Sequence, residues 1–231
     1  MERAAVPERE PTAAERAAVP TRDPTAGDSA RLATAMERVG WRVADPAPLG
    51  LAGFAMTTFV LSMFNANLVS ANGEPVVLGL AIAYGGLAQL LAGMWEFRNG
   101  NTFGALAFSS FGAFWLSFFL LVQFFAPTIP AGNAGDAVGL YLWAWALFTG
   151  YMFVASLRTT VAIAVVFALL TTTFILLAIG EVGAHTTVTH WGGYIGIATA
   201  AAAWYASFAV VTNSTFGRTV LPVVPLTRER G

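Results

Sequence analysis

The sequence contains no cysteine and no lysine, and it is poor in charge. Charged residues make up 11% of the 231 positions, whereas soluble domains carry about a quarter. The absence of Cys excludes disulfides, iron–sulfur clusters and thiol chemistry. The absence of Lys excludes a Schiff-base chromophore, and two His are too few for a metal site made by the protein alone. We therefore expect no cofactor and no metal.

Apolar residues are abundant instead, at 56% of the chain, with a mean hydropathy of +0.64. A chain this short cannot hide so much apolar surface in its own core. Six apolar stretches, each close to the length of about 20 residues that spans a bilayer, cover residues 49–69, 75–95, 103–126, 137–157, 161–179 and 188–211. A soluble helical core does not account for six such stretches in a row. The sequence therefore predicts an all-α membrane protein, a bundle of six transmembrane helices.

The first 45 residues differ from the rest in composition. They hold seven of the twelve Arg and eight of the thirteen acidic residues, and the run Glu2–Pro7 recurs at Glu15–Pro20. Such a segment has too few large apolar residues to offset its ordering entropy, and it lacks the apolar stretch of a signal peptide. We expect a disordered cytoplasmic arm at residues 1–44, a six-helix membrane domain at 45–222 and a cytoplasmic tail at 223–231.

The arginines outside this arm predict the orientation. Arg98 and Arg158 lie in the second and fourth connections, and the other three Arg follow the sixth helix. The first, third and fifth connections carry acids and no Arg: Glu74, Asp136 and Glu181. Under the positive-inside rule both termini face the cytoplasm. We expect a multi-pass protein of the cell (inner or plasma) membrane.

Neutral polar residues follow a helical spacing in the first two predicted helices. In the first helix four residues recur at spacings of four, four and three and share one face: Phe54, Thr58, Ser62 and Asn65. Gly85, Gln89 and Gly93 recur every four residues in the second. The polar groups either hold helices together by hydrogen bonds or line a cavity. Two polar faces together favour the cavity. In the sixth helix, Gly192 and Gly196 predict close packing, within the chain or between subunits.

Charged groups lie at helix ends. The membrane interior therefore lacks the ionisable residues that a proton pump or a voltage sensor needs. Glu96 ends the second helix and is either a functional acid or half of a surface pair with Arg98. No nucleophile–base pair, metal cluster or phosphate-binding loop is visible, and we expect no enzyme activity. Asp45, followed by Pro46 and Pro48, predicts a capped helix start.

This helix start and three other stretches resemble one family. The motif Asp45-Pro46-Ala47-Pro48-Leu49-Gly50-Leu51 resembles the Asn-Pro-Ala-Pro-Leu-Gly-Leu signature of the acetate uptake transporter family, which includes bacterial succinate–acetate permeases. Residues 56–58, 84–104 and 216–222 also agree with that family. The resemblance spans residues 45–222.

The resemblance implies a six-helix bundle assembled as a homohexamer, with one path through each protomer. Its cargo would be acetate and other small carboxylates, including succinate, carried with protons or through a channel. The implied partners are this carboxylate, protons and lipid, with no nucleic acid. It implies a hydrophobic constriction at Phe54, Phe111 and Leu170. It also implies polar path residues at Thr57, Thr58, Asn65, Gln89 and Glu96.

Two positions depart from the family pattern. Asp45 stands where the family has Asn, which puts negative charge near an anion path unless Asp45 is turned away as a cap. Phe111 stands where the family has Tyr, which removes a hydroxyl from the constriction. The alternative function is a membrane sensor or regulator of the acetate or ammonia response that acts through the N-terminal arm.

Overall fold

A computed structural model describes residues 43–226, and this part of the chain is almost entirely helical. Six of its helices are long and apolar enough to cross a membrane: α1 Ala47–Asn65, α2 Val76–Asn99, α3 Thr102–Thr128, α4 Ala131–Ser156, α5 Val161–Val182 and α6 Thr186–Phe216. Each overlaps one predicted stretch, which confirms the six-helix bundle. The described residues form no strand, only an isolated bridge between Thr160 and Pro225. The arm predicted to be disordered falls, up to residue 42, outside the described residues.

Glycine and asparagine residues set several of the helix ends. Gly100 and Gly217 end α2 and α6 in the left-handed region, with φ of 75° and 63°, where glycine is favoured. Asn67, with φ of 56°, follows the end of α1, so this helix stops before residue 69. Asn101 Oδ1 accepts a hydrogen bond from Gly104 N at 3.0 Å and caps α3.

α1 starts where the sequence predicts, and Asp45 contributes a hydrogen bond to this helix start. Its Oδ1 accepts a hydrogen bond from Ala47 N at 2.9 Å, and Pro46 O accepts one from Gly50 N at 3.2 Å. Gly50 is buried so closely that an added Cβ would lie 2.6 Å from the ring of Phe108. The exposed carboxylate of Asp45 therefore binds its own helix end, as a cap does.

Small residues bring the helices together. α1 packs against α2 and α6, α6 packs against α5, α5 against α4, and α2 against α3. Added Cβ atoms would collide with Leu177 of α5 at Gly192 and with Ser62 of α1 at Gly196. The predicted close packing of this α6 face is confirmed, and it occurs within the chain.

Aromatic rings separate α3 from α4, whose backbones make few close approaches. Phe114 meets Trp145 with ring centroids 5.1 Å apart, and Phe111 meets Phe148 at 5.4 Å. Such tilted and edge-to-face contacts suit aromatic pairs. The wider spacing leaves room inside the bundle for the cavities described below.

Charged residues divide between the two ends of the bundle. We call the end with Glu74, Asp136 and Glu181 the acidic end, and the end with Arg98, Arg158 and Arg218 the arginine end. Every Arg of residues 43–226 lies at the arginine end. Asp45 and Glu96 also lie there, at the start of α1 and in the last turn of α2.

Candidate functional site

Two cavities extend into the bundle from its opposite ends. The acidic-end cavity is lined from α1, α3, α4 and α5 and measures about 970 Å³ with its open mouth included. The arginine-end cavity is lined from α1, α2, α3 and α5 and measures about 850 Å³ on the same basis. Phe54 and Leu170 line both cavities. These two side chains therefore stand where the cavities approach each other.

The three residues assigned to a constriction lie together in the structure. Phe54, Phe111 and Leu170 all line the arginine-end cavity, and each is almost fully buried. The rings of Phe54 and Phe111 are 5.7 Å apart between centroids. Phe167 adds a further ring, 6.0 Å from Phe111. The boundary between the cavities is therefore apolar and largely aromatic.

The polar face of α1 opens onto the acidic-end cavity. Thr58, Ser62 and Asn65 line it together with Phe54, which confirms that these four residues share a face. Thr58 Oγ1 makes no hydrogen bond to any described residue, and neither does the indole Nε1 of Trp115, which lines the same cavity. Thr58 is 6% exposed and Trp115 is 2% exposed. This wall thus carries two buried donors without a partner.

Trp115 was not among the residues selected from the sequence. A buried tryptophan usually finds a partner for its N–H, so an unpaired one is informative. The sequence contains seven Trp, however, and several of the others are exposed and suit a membrane surface. Only the packing of α3 against α1 and α2 distinguishes Trp115 from them.

Gln89 gives the arginine-end cavity its buried amide. It is 1% exposed, lines the cavity, and its Oε1 has no hydrogen-bond partner among the described residues. A π-helical segment, Ala83–Ala88, directly precedes it. Within that segment an added Cβ at Gly85 would lie 2.5 Å from Thr57 Oγ1 and 2.9 Å from the Trp115 ring. Gly85 therefore allows α1, α2 and α3 to meet beside both cavities.

Two residues of the expected polar path are not among those that line the cavities. Thr57 Oγ1 donates a hydrogen bond to Gly53 O at 2.9 Å and faces α2, so it lines neither cavity. Glu96 is fully buried in the corner between α2 and α3, where its carboxylate accepts a hydrogen bond from Asn99 at 3.4 Å. Arg98 is exposed. Glu96 belongs to this corner and not to a surface pair with Arg98.

Two further acids line the acidic-end cavity, and the sequence pointed to them only as orientation signals. Glu74 is separated from the start of α2 by Pro75, and Glu181 lies in the last turn of α5. Burial raises the pKa of Glu74 above its ordinary value, and the negative charge of Glu181 raises it further. Both acids lie next to predicted helices, in connections that the arginine pattern assigns to the same end of the bundle. That shared position could have identified them from the sequence.

Comparison with known proteins identifies the family of this chain and several of its relatives. Residues 31–228 match the GPR1/FUN34/yaaH family. The chain belongs to this family. As a family member, it is 41% identical over 184 residues to the succinate-acetate/proton symporter SatP of Escherichia coli, covering 79% of this chain and 96% of that one. It is 40% identical over 197 residues to acetate permease A of Emericella nidulans, covering 79% and 66% of the two chains.

A solved structure agrees with the fold of this family member. The structure of the bacterial acetate channel SatP superposes with a TM-score of 0.74 at 40% identity, covering 79% of this chain and 99% of that one. The family resemblance inferred from the motif at Asp45 is thus confirmed. The chain is a multi-pass membrane protein built on the same six-helix bundle.

Proposed function

We propose that this protein moves acetate and related small carboxylates, including succinate, across a membrane through the interior of each protomer. The observation that carries the proposal is the pair of cavities that approach each other at Phe54 and Leu170 from opposite ends. The names of the relatives support the cargo, because one is a succinate-acetate/proton symporter and another an acetate permease.

The buried polar atoms in the cavities suit a carboxyl group. Thr58 and Trp115 offer an O–H and an N–H that lack partners, and a carboxyl oxygen accepts such bonds. Gln89 offers an amide whose Oε1 lacks a partner, which suits the O–H of a protonated acid. The apolar boundary at Phe54 and Phe111 disfavours a bare charge and favours the neutral acid. We therefore propose transport in which a proton accompanies the carboxylate.

We propose that the acidic end faces the outside of the cell and that the arginine end, with both termini, faces the cytoplasm. The complete separation of Arg98, Arg158 and Arg218 from the acidic end supports this orientation. The membrane is then the cell (inner or plasma) membrane, with residues 1–44 and 223–231 on its cytoplasmic side. From the family resemblance we further propose a homohexamer, with no enzymatic activity in the protomer.

The experiment is uptake of labelled acetate into proteoliposomes, with and without an imposed pH gradient. We expect uptake above that of empty liposomes, faster when the outer solution is the more acidic, and slowed by unlabelled succinate. Uptake that follows the membrane potential and ignores the pH gradient would point to a channel for the anion. No uptake under either condition would contradict transport.

A regulator that acts through its N-terminal arm is the competing function. Deleting residues 1–40 separates the two. We expect the shortened transporter to keep its acetate flux, because the described residues that line both cavities all follow Asp45. A flux that disappears with the arm would favour the regulatory function.

A further inference from the structure

Two acids from different parts of the chain line the acidic-end cavity near its mouth. Glu74 reaches it from the residue before Pro75, and Glu181 from the last turn of α5. Tyr141 of α4 lines the same cavity, but its hydroxyl is already hydrogen-bonded, with Ser117 Oγ at 2.8 Å. The two carboxylates are therefore the charged groups of this cavity lining.

We propose that Glu74 and Glu181 form a charge filter that admits monocarboxylates and protonated acids in preference to dianions. The inference rests on the proposed function and names residues that set its substrate range. The fixed negative charge repels an incoming anion in proportion to the charge that the anion carries. A dianion such as succinate is therefore repelled about twice as strongly as acetate.

Nothing nearby in the described residues neutralises this charge. α1 and α3 bring no charged side chain to this cavity, α4 carries the acid Asp136 in its second turn, and Glu74 itself precedes α2. His185 before α6 and His190 within it are the groups at this end that can take up a positive charge. Every Arg of residues 43–226 lies at the arginine end. The potential at the mouth is therefore negative whenever the acids are ionised.

A second observation is a pair of unpartnered donors deeper in the same cavity, where a carboxyl group can accept their hydrogen bonds. Thr58 Oγ1 and Trp115 Nε1 lie in its wall, are more than nine-tenths buried and have no partner among the described residues. A monocarboxylate held by these two donors leaves no second charge toward the mouth. A dicarboxylate held there directs its other carboxylate toward Glu74 and Glu181. The two donors and the two acids together therefore discriminate between carboxylates by the number of charges that each carboxylate carries.

Proton uptake controls how strong the filter is. Two neighbouring carboxylates disfavour simultaneous ionisation, and the raised pKa of Glu74 means that it takes up a proton at a higher pH than an ordinary Glu. The negative charge of the filter therefore increases as the pH rises. It weakens as the solution at the acidic end is acidified.

The test compares initial fluxes of labelled succinate and acetate in proteoliposomes at pH 7.5 and pH 5. The variant is Glu74→Gln with Glu181→Gln, and the matched control is Asp136→Asn, which removes an acid from the same end that does not line the cavity. We expect the double variant to raise the succinate-to-acetate flux ratio roughly five-fold at pH 7.5. At pH 5 the variant and the wild type should approach each other, and the control should match the wild type at both pH values.

A second measurement needs only the wild type. High salt screens exposed charges, so the flux ratio at pH 7.5 should rise toward that of the double variant. An unchanged ratio in the double variant, with normal acetate flux, would overturn the filter and leave the proposed function standing. So would a ratio raised equally by Asp136→Asn, or a salt-independent ratio in the wild type. Absence of acetate flux in the wild type would instead contradict the proposed function itself.

Discussion

At the scale of single residues, the unpartnered polar atoms distinguish this bundle from one that is only packed. Buried polar groups in native proteins are nearly always hydrogen-bonded. The described residues contain five buried side-chain atoms without a partner, on Thr58, Gln89, Glu96, Ser109 and Trp115. Three of these residues, Thr58, Gln89 and Trp115, line a cavity. Their missing partners are what a passing carboxyl group can supply.

Gln89→Leu tests whether the amide serves flux or packing. Because Gln89 Oε1 has no partner, removing the amide should leave the thermal unfolding midpoint in detergent unchanged or slightly raised. Acetate flux should fall roughly ten-fold, as expected for the loss of one or two hydrogen bonds to the moving acid. The control is Gln123→Leu, at an exposed position of α3. A lower midpoint with normal flux would show that Gln89 only holds helices together.

Phe54→Ala tests the apolar boundary. The ring of Phe54 lies 5.7 Å from that of Phe111 between centroids, and removing it widens the place where the cavities approach each other. We expect the flux of a bulkier acid such as benzoate to rise roughly ten-fold relative to acetate, the scale of a 1.4 kcal/mol change in the barrier. The control is Phe208→Ala, an exposed aromatic of α6. An unchanged benzoate-to-acetate ratio would place the barrier elsewhere.

At the scale of elements, α2 shapes the interior through a local change of helix type. Its π-helical segment, Ala83–Ala88, contains Gly85 and Gly86 and ends just before Gln89. Such segments are uncommon and frequently occur at functional sites. Here the segment packs closely against α1 and α3, where Gly85 contacts Thr57 and Trp115.

Gly85→Ala should disturb this contact, whereas Gly79→Ala on the same helix should not. An added Cβ at Gly85 meets the Trp115 ring at 2.9 Å, and one at Gly79 meets nothing within 4 Å. We expect Gly85→Ala to lose most of its acetate flux and about 1–3 kcal/mol of stability, as overpacking costs. Gly79→Ala should keep both flux and stability. Equal behaviour of the two variants would contradict the packing described here.

The segment that follows α6 completes the start of α5. Val161 N donates to Val224 O at 2.8 Å, and Ala162 N donates to Val223 O at 3.3 Å. These bonds satisfy two of the N–H groups that a helix start leaves free. Ending the chain after Leu221 should therefore speed hydrogen exchange at Val161 and Ala162 and cost about 2 kcal/mol. Ending it after Leu226 is the control, and equal exchange in both shortened chains would contradict this capping.

At the scale of the whole molecule, hydropathy and turn chemistry were sufficient to predict the bundle. Six apolar stretches separated by Gly, Pro and Asn can satisfy their backbone groups in lipid only as helices. The exact ends were harder, because Asn67 and Gly217 adopt left-handed conformations that hydropathy does not report. Helical spacing also predicted that Thr58, Ser62 and Asn65 share a face with Phe54.

The site could be predicted only in part, since cavities depend on which helices are neighbours. Spacing alone could not tell that Thr57 bonds to its own helix while Thr58 remains unpaired one residue later. It could not select Trp115 among seven Trp. It also could not bring Glu74 and Glu181, which are far apart in the chain, to one cavity.

If acetate crosses through the interior of the protomer, as we propose, the absence of Cys permits a direct test of that path. Asn65→Cys places one thiol in the lining of the acidic-end cavity, and Asn72→Cys places one at the same end outside that lining. We expect a membrane-impermeant thiol reagent to abolish most acetate flux through Asn65→Cys proteoliposomes and to leave Asn72→Cys unaffected. Full flux through the fully labelled Asn65→Cys protein would contradict a path through this cavity.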